Sequence, residues 1–138
     1  MKHVAIVSAF IIYQEKLLIL KRSGNVSTHP NLWAAISGYL ENEYPLLQAY
    51  TEIREETGIT APEIKLMVQA KPRIVDDIPN QTRWEIHSFL FQARKEIPVR
   101  LNWENSSYAW VDIGQLTNYS TVPNLATALD HLLKKSID

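Results

Sequence analysis

The stretch Ser37–Ile59, SGYLENEYPLLQAYTEIREETGI, combines a glycine-containing loop with a helix whose two ends are marked. Pro45 suits the first turn of a helix and Gly58 suits the position just after its last turn, so the sequence predicts a helix from about Pro45 to Thr57. Apolar and small side chains recur at helical intervals and predict one packed stripe, made of Leu46, Ala49, Tyr50, Ile53 and Thr57. The helix is therefore expected to bury one flank.

An adjacent flank of this helix is acidic. Glu52, Glu55 and Glu56 have the i, i+3, i+4 spacing that brings side chains together. Like charges at these spacings cost about 0.2–0.5 kcal/mol per pair, and no Lys or Arg follows Glu52 or Glu55 one turn later. A hard divalent cation such as Mg²⁺ or Mn²⁺ would offset the repulsion. For an isolated pattern of this kind, a solvated acidic face is the more ordinary explanation.

The whole stretch resembles the Nudix (MutT-type) box, G-x5-E-x7-R-E-U-x-E-E-x-G-U, in which U is aliphatic. The matching residues, counted back from the end of the box, are Ile59, Gly58, Glu56, Glu55, Ile53, Glu52 and Glu43. Ser37 stands where the box has its first glycine, and Thr51 stands where it has arginine. Because Gly38 follows one place later, the loop before Glu43 is expected to be one residue shorter than usual.

The resemblance implies a Nudix fold, an α/β (α+β) domain in which a mixed β-sheet is sandwiched between α-helices. A single Nudix domain is expected over residues 1–138, with the box at about 37–59. The implied activity is Mg²⁺- or Mn²⁺-dependent cleavage of the diphosphate linkage of a nucleoside diphosphate derivative by water attack at phosphorus. Glu52, Glu55 and Glu56 would hold the metal together with a backbone carbonyl near Gly38.

Glu43, Thr51 and Gly58 occupy the structural positions of the box. In the family, the arginine at the position of Thr51 pairs with a carboxylate and fixes the loop against the helix. Threonine cannot supply that charge, and we expect its hydroxyl to bond back to the helix instead. This would leave Glu43 or Glu55 less restrained, and activity reduced or differently tuned rather than lost.

In many Nudix hydrolases a carboxylate from outside the box assists the attacking water. Glu104 is our candidate, because it precedes the late aromatic strand, and Asp76 and Asp77 are rivals for the role. The proton of the water would pass to Glu55 or to Glu104.

The partner implied is a nucleotide-type small molecule. Arg22, Arg73 and Arg83 are candidate phosphate contacts, because a guanidinium binds phosphate through its planar fork. Ordinary surface charge is the alternative for each of them. Trp33 is a candidate for stacking on a nucleobase, with a place in the apolar core as the alternative. His87 is expected to be a hydrogen-bonded interior histidine.

Composition sets limits on the other partners. The 138 residues are 46% hydrophobic, enough for one sizeable core, and the net charge of −1 provides no broad basic field for nucleic acid or a membrane surface. Without cysteine there can be no disulfide framework, thiolate zinc site or cysteine nucleophile. No run approaches the roughly eighteen apolar residues that span a bilayer. We expect a cytoplasmic protein, and a homodimer is compatible with the resemblance.

Beyond the box, the sequence predicts six strands and one further helix. The strands are Val4–Tyr13, Leu17–Leu20, Leu32–Ile36, Ile64–Ile74, Trp84–Ala93 and Tyr108–Val111. Trp84–Ala93 has apolar side chains on both faces, which is typical of a strand at the centre of a covered sheet. Residues 76–81 are predicted to be a loop. An amphipathic helix is predicted from Thr121 to Lys135, with Pro123 in its first turn.

Two other functions remain open from the sequence alone. The first is a Nudix-like nucleotide-sensing or binding domain that has lost turnover. The second is a small interaction domain whose acidic helix is only a solvated face.

Overall fold

A computed structural model describes residues 1–137 and contains eight strands and two α-helices. The strands are β1 (Lys2–Tyr13), β2 (Lys16–Arg22), β3 (Trp33–Ala34), β4 (Ile36–Tyr39), β5 (Ile64–Gln69), β6 (Arg73–Asp77), β7 (Thr82–Ala93) and β8 (Asn105–Asp112). The helices are α1 (Pro45–Thr57) and α2 (Leu125–Ser136). Short 3₁₀ turns span Ala61–Glu63 and Ile113–Asn118.

All eight strands belong to one mixed sheet centred on β1 and β7. These two strands run parallel over their whole length, from the pair Lys2 and Thr82 to the pair Ile12 and Gln92. The far edge of β7 pairs with β5 and β6, both antiparallel. The other edge of β1 pairs with β2 at one end and with β4 at the other, and β2 pairs with β8 beyond.

The strands β1 and β2 diverge, and the segment that carries β3 and β4 bridges the gap between them. Ala34 of β3 pairs with Leu20 of β2, whereas Ile36 of β4 already pairs with Ala9 of β1. The chain therefore changes neighbours at Ala35, and β4 leads directly into the loop that precedes α1.

Each face of the sheet is covered by one helix, which confirms the predicted sandwich. Ala49 and Ile53 of α1 pack with Val7, Phe89 and Phe91 on one face. On the other face, the apolar side of α2 packs on side chains of β1, β2 and β7, which include Phe10, Leu17, Ile19 and Leu90. The alternation predicted for the β7 segment is confirmed, because its odd- and even-numbered core residues fall on opposite faces.

The predicted bounds of α1 are confirmed. Gly58 ends the helix in the left-handed conformation (φ 76°), and its N–H donates to the carbonyl of Arg54 at 2.9 Å. This backbone conformation is strained for residues with a Cβ, so glycine suits the position.

Four predicted bounds were wrong. The single strand predicted for Leu32–Ile36 is divided into β3 and β4, because the chain changes neighbours at Ala35. The single strand predicted for residues 64–74 is divided into β5 and β6, since Pro72 has no N–H to continue a ladder. Asp76 and Asp77 lie within β6 rather than in a loop. The helix α2 begins at Leu125, so Pro123 lies before it. No helix within residues 1–137 is long and apolar enough to cross a membrane.

Candidate active site

Gly38 forms a cradle for the carboxylate of Glu52. In β4, Gly38 pairs with Val7 and faces α1. A Cβ built on Gly38 would lie 2.7 Å from Glu52 Cγ and closer still to the carboxyl carbon and Oε1. Only glycine lets this side chain approach the strand so closely. The structure thus brings Gly38, and not Ser37, against Glu52, the first box glutamate of α1.

Glu56 is buried, with only 2% of its surface exposed. Its Oε1 accepts a hydrogen bond from Asn105 Nδ2 at 3.2 Å, and Oε2 has no partner among the described residues. Burial raises the pKa of Glu56 well above its usual range, and the negative charge of Glu104 raises it further. We expected the glutamates to lie outside the packed stripe, and for Glu56 that expectation was wrong.

Glu52 and Glu55 extend the acidic surface outward from this buried group. Glu52 is half-buried and Glu55 is exposed. The pKa of Glu52 is raised, first by burial and then by the charges of Glu55 and Glu104, against the opposing hydrogen bond from Gln48. The negative charges of several neighbouring carboxyl groups therefore repel one another. A bound cation would reduce this repulsion.

Glu104 lies close enough to take part in this cluster, since its charge acts on the pKa of both Glu52 and Glu56. Of its two rivals, Asp76 is held by Arg83, and Asp77 accepts two hydrogen bonds from Asn80. Neither aspartate contributes to the pKa shift of Glu52 or of Glu56. The charge effect of Glu104, and the engagement of both aspartates elsewhere, favour Glu104 over its rivals.

The segment that carries Glu104, residues 98–104, is tied to the scaffold on both sides. The N–H of Arg100 donates to the carbonyl of Thr57, the last residue of α1, at 2.9 Å. The carbonyl of Glu104 accepts the N–H of Ser23 at 2.8 Å. Backbone bonds to α1 and to the end of β2 thus fix Glu104 relative to the helix glutamates.

The three candidate phosphate-binding arginines lie in different surroundings. Arg22 donates from Nε to the carbonyl of Thr28 at 2.8 Å and from Nη2 to its hydroxyl at 3.0 Å. Its charge also lowers the pKa of Glu56, so Arg22 lies near the acidic cluster. Arg83 is engaged by Asp76 through bonds of 2.6 and 2.9 Å. Arg73 is exposed on β6.

Trp33 is half-buried and packs against the core on the α2 side of the sheet. Its ring meets Tyr119 edge-to-face, with centroids 5.4 Å apart. Its backbone bonds to Ser120 and Val122 at 2.9 Å each. These contacts support the core alternative. His87 Nε2 lies 2.8 Å from Glu85 Oε2, which confirms the expected hydrogen-bonded histidine.

Thr51 behaves as predicted, because its hydroxyl donates to the carbonyl of Leu47 at 3.0 Å. Glu43 is exposed.

Two buried polar residues of the site were missed by the sequence analysis, Gln48 and Asn105. Gln48 lies one turn before Glu52 on the acidic flank, a spacing that could have revealed it. The contact of Asn105 joins residues 49 apart, and only the folded chain reveals it.

Comparisons with known proteins were made by sequence and by structure. A family model described as the NUDIX domain matches residues 2–133. The chain belongs to the Nudix family. Its members act on nucleoside diphosphate derivatives as pyrophosphatases and generally use divalent metal ions. A search of curated proteins by sequence finds no significant match.

Solved Nudix structures share the fold at low sequence identity. A Nudix hydrolase from M. smegmatis, RenU, superposes with a TM-score of 0.76 at 18% identity, over 99% of this chain and 86% of that one. An Ap4A hydrolase from C. elegans superposes with a TM-score of 0.73 at 16% identity, over 92% of this chain and 93% of that one. The E. coli dihydroneopterin triphosphate pyrophosphohydrolase superposes with a TM-score of 0.75 at 19% identity, over 94% of this chain and 95% of that one.

The residues of this Nudix site fit a divalent metal. Within residues 1–137, no three His, Asp or Glu side chains are grouped closely enough to hold a metal ion by themselves. Mg²⁺ does not require such a group, because it usually binds one or two carboxylates and keeps several waters or substrate phosphates. The partnerless Oε2 of Glu56 and the carboxylate of Glu52 in the Gly38 cradle provide hard oxygen donors of that kind.

Proposed function

We propose that this Nudix protein is a Mg²⁺- or Mn²⁺-dependent pyrophosphohydrolase that cleaves the diphosphate linkage of a nucleoside diphosphate derivative. The observation that carries the proposal is the buried carboxyl of Glu56, whose Oε2 has no partner within the described chain. A buried carboxylate without a compensating partner is costly. A cation bound beside it would remove that cost, which gives the buried acid a reason to be there.

Glu52, Glu55 and Glu56 would hold the metal, together with the backbone carbonyl near Gly38. When bound, the divalent ion would screen the charge of the diphosphate and lower the pKa of a bound water. The chain itself keeps these donors in place: Gly38 admits Glu52, and Asn105 donates to Glu56.

Glu104 would act as the general base, with Glu55 as the second candidate. The attacking water forms a bond to phosphorus as the bridging P–O bond breaks, and its proton passes to the carboxylate. Two phosphate-bearing products leave without a covalent intermediate. Arg22, whose charge acts on Glu56 and whose Nε and Nη2 are bonded to Thr28, would bind a phosphate oxygen with its remaining N–H groups.

The substrate class is a nucleotide-type small molecule. The Ap4A hydrolase and the dihydroneopterin triphosphate pyrophosphohydrolase among the structural neighbours are named for compounds with phosphoanhydride bonds. A panel should therefore contain dinucleoside polyphosphates, nucleoside triphosphates, ADP-ribose and nucleotide sugars.

The test is product release from this panel with Mg²⁺, with Mn²⁺ and with EDTA. We expect metal-dependent cleavage of at least one compound, abolished by EDTA. If folded protein binds metal and cleaves none of them, the hydrolase proposal is wrong and the nucleotide-sensing alternative takes its place.

A further inference from the structure

A buried glutamine connects the helix glutamates to the loop that precedes them. Gln48 is 5% exposed and lies at the end of the first turn of α1. Its Oε1 accepts the backbone N–H of Glu41 at 3.1 Å and of Asn42 at 3.0 Å. Its Nε2 donates to Glu52 Oε1 at 3.1 Å. One amide therefore binds both residues 41–42, in the box loop (residues 40–44), and the carboxylate in the Gly38 cradle.

The orientation of this amide follows from its partners. Two backbone N–H groups require an acceptor, and a carboxylate requires a donor. Exchanging the oxygen and nitrogen of Gln48 would set donors against donors and an acceptor against an acceptor, so the network allows one orientation.

From these contacts we infer that Gln48 is a positioning residue that takes the place of the arginine missing at position 51. Thr51 is bonded to its own helix and does not tie the helix to the loop. Gln48 makes that connection one turn earlier and without a positive charge. The carboxylate of Glu52 is thereby held in place by a neutral partner, which does not compete with a cation for its charge. This inference rests on the proposed function.

The variant Gln48→Leu, similar in length and without polar atoms, tests the inference through metal binding, which requires no turnover. Loss of a partner that orients a metal ligand typically costs 10- to 100-fold in metal affinity or activity. We expect Mn²⁺ affinity, measured by titration calorimetry or electron paramagnetic resonance, to fall at least tenfold. We expect kcat to fall with it and KM to change little.

A readout inside the metal-free protein checks the loop bonds directly. The amide protons of Glu41 and Asn42 should exchange with solvent faster in Gln48→Leu than in the parent chain. Gln115→Leu is the matched control, because Gln115 is exposed, is also hydrogen-bonded, and lies in a distant 3₁₀ turn. It should change neither metal affinity nor exchange at these two amides.

The equivalence with the box arginine is tested by adding Thr51→Arg to Gln48→Leu. We expect the second change to restore most of the lost Mn²⁺ affinity. If Gln48→Leu binds Mn²⁺ within twofold of the parent chain, Gln48 does not position Glu52. If the double variant stays as impaired as the single one, the equivalence is wrong.

The failure of the proposed function would look different from the failure of this inference. A parent chain that binds Mn²⁺ but cleaves nothing refutes the hydrolase proposal, and the Gln48 comparison can still be made. A parent chain that does not bind Mn²⁺ refutes both.

Discussion

The change Gly38→Ala separates the positioning of Glu52 from the stability of the fold. The added Cβ would lie 2.7 Å from Glu52 Cγ, whereas ordinary contact begins at 3.4 Å, so this carbon must move by about 0.7 Å. The carboxyl group lies closer still and must move further. Glu52 can swing away because it is a flexible side chain, but it then leaves its hydrogen bond with Gln48.

The expected result is a large loss of activity in a stable protein. A misplacement of about 1 Å at a reacting centre can cost roughly a hundredfold in rate, and we expect kcat to fall by about that factor. Unfolding should change little, because Gly38 does not have a positive φ and alanine in a strand is about 0.5–1 kcal/mol better than glycine. The assay is kcat at saturating metal beside urea unfolding of the same preparation.

Gly114→Ala is the matched control, since a Cβ there meets nothing within 4 Å. It should leave kcat unchanged, and its stability should equal or slightly exceed that of the parent chain. A Gly38→Ala protein with kcat within twofold of the parent chain would show that the close approach of Glu52 to the strand is not needed for the reaction. A Gly38→Ala protein that unfolds would show that Glu52 cannot swing away as described.

Four further predictions concern the carboxyl groups and Thr51. Glu56→Gln should lower kcat by more than the 10- to 100-fold typical of an outer partner, yet it should fold, because glutamine is neutral and similar in size. Burial raises the pKa of Glu56, so the folded protein keeps this proton at pH values where the unfolded chain has lost it. The free energy of unfolding of the metal-free parent chain should therefore fall as pH rises from about 4.5 toward the raised pKa. The loss should be up to about 1.4 kcal/mol per pH unit. Urea unfolding in EDTA should show that loss in the parent chain and a smaller one in Glu56→Gln; equal slopes would contradict it. Glu104→Gln should lower kcat by a factor of about 10²–10⁴ and leave Mn²⁺ affinity within a few-fold of that of the parent chain. Retained activity with an unchanged pH–rate profile would instead assign the role of base to Glu55. Thr51→Arg in the parent chain should leave kcat unchanged or raise it, and a large loss would show that the site is built around threonine.

Local signals in the sequence were sufficient for the helix and the layers of the fold. Proline and glycine mark both ends of α1, and the pattern of the β7 segment predicted a strand covered on both faces. Bounds were less predictable where tertiary pairing decides them. Residues 64–74, which pair with β7, were predicted to form one strand, and Pro72 divides them into β5 and β6.

The site was predictable only as far as the box extends. The resemblance identified the helix glutamates, and the position of Glu104 before an aromatic strand suggested a base. The burial of Glu56 could not be predicted, because β8 supplies the Asn105 contact from 49 residues away. The ion pair between Arg83 and Asp76 likewise depends on the pairing of β6 with β7, which places the two side chains opposite each other.

The two backbone bonds that hold residues 98–104 have a consequence for the range of motion during a catalytic cycle. These bonds anchor the chain at the amide of Arg100 and at the carbonyl of Glu104, and a lid-like opening of this segment would have to break at least one of them. The carboxylate of Glu104 should therefore stand ready before substrate arrives, and turnover should not wait for this segment to move. Adaptation to a new leaving group would then fall to the stretch between β2 and β3, provided that the Ser23 bond to Glu104, the proposed base, is kept.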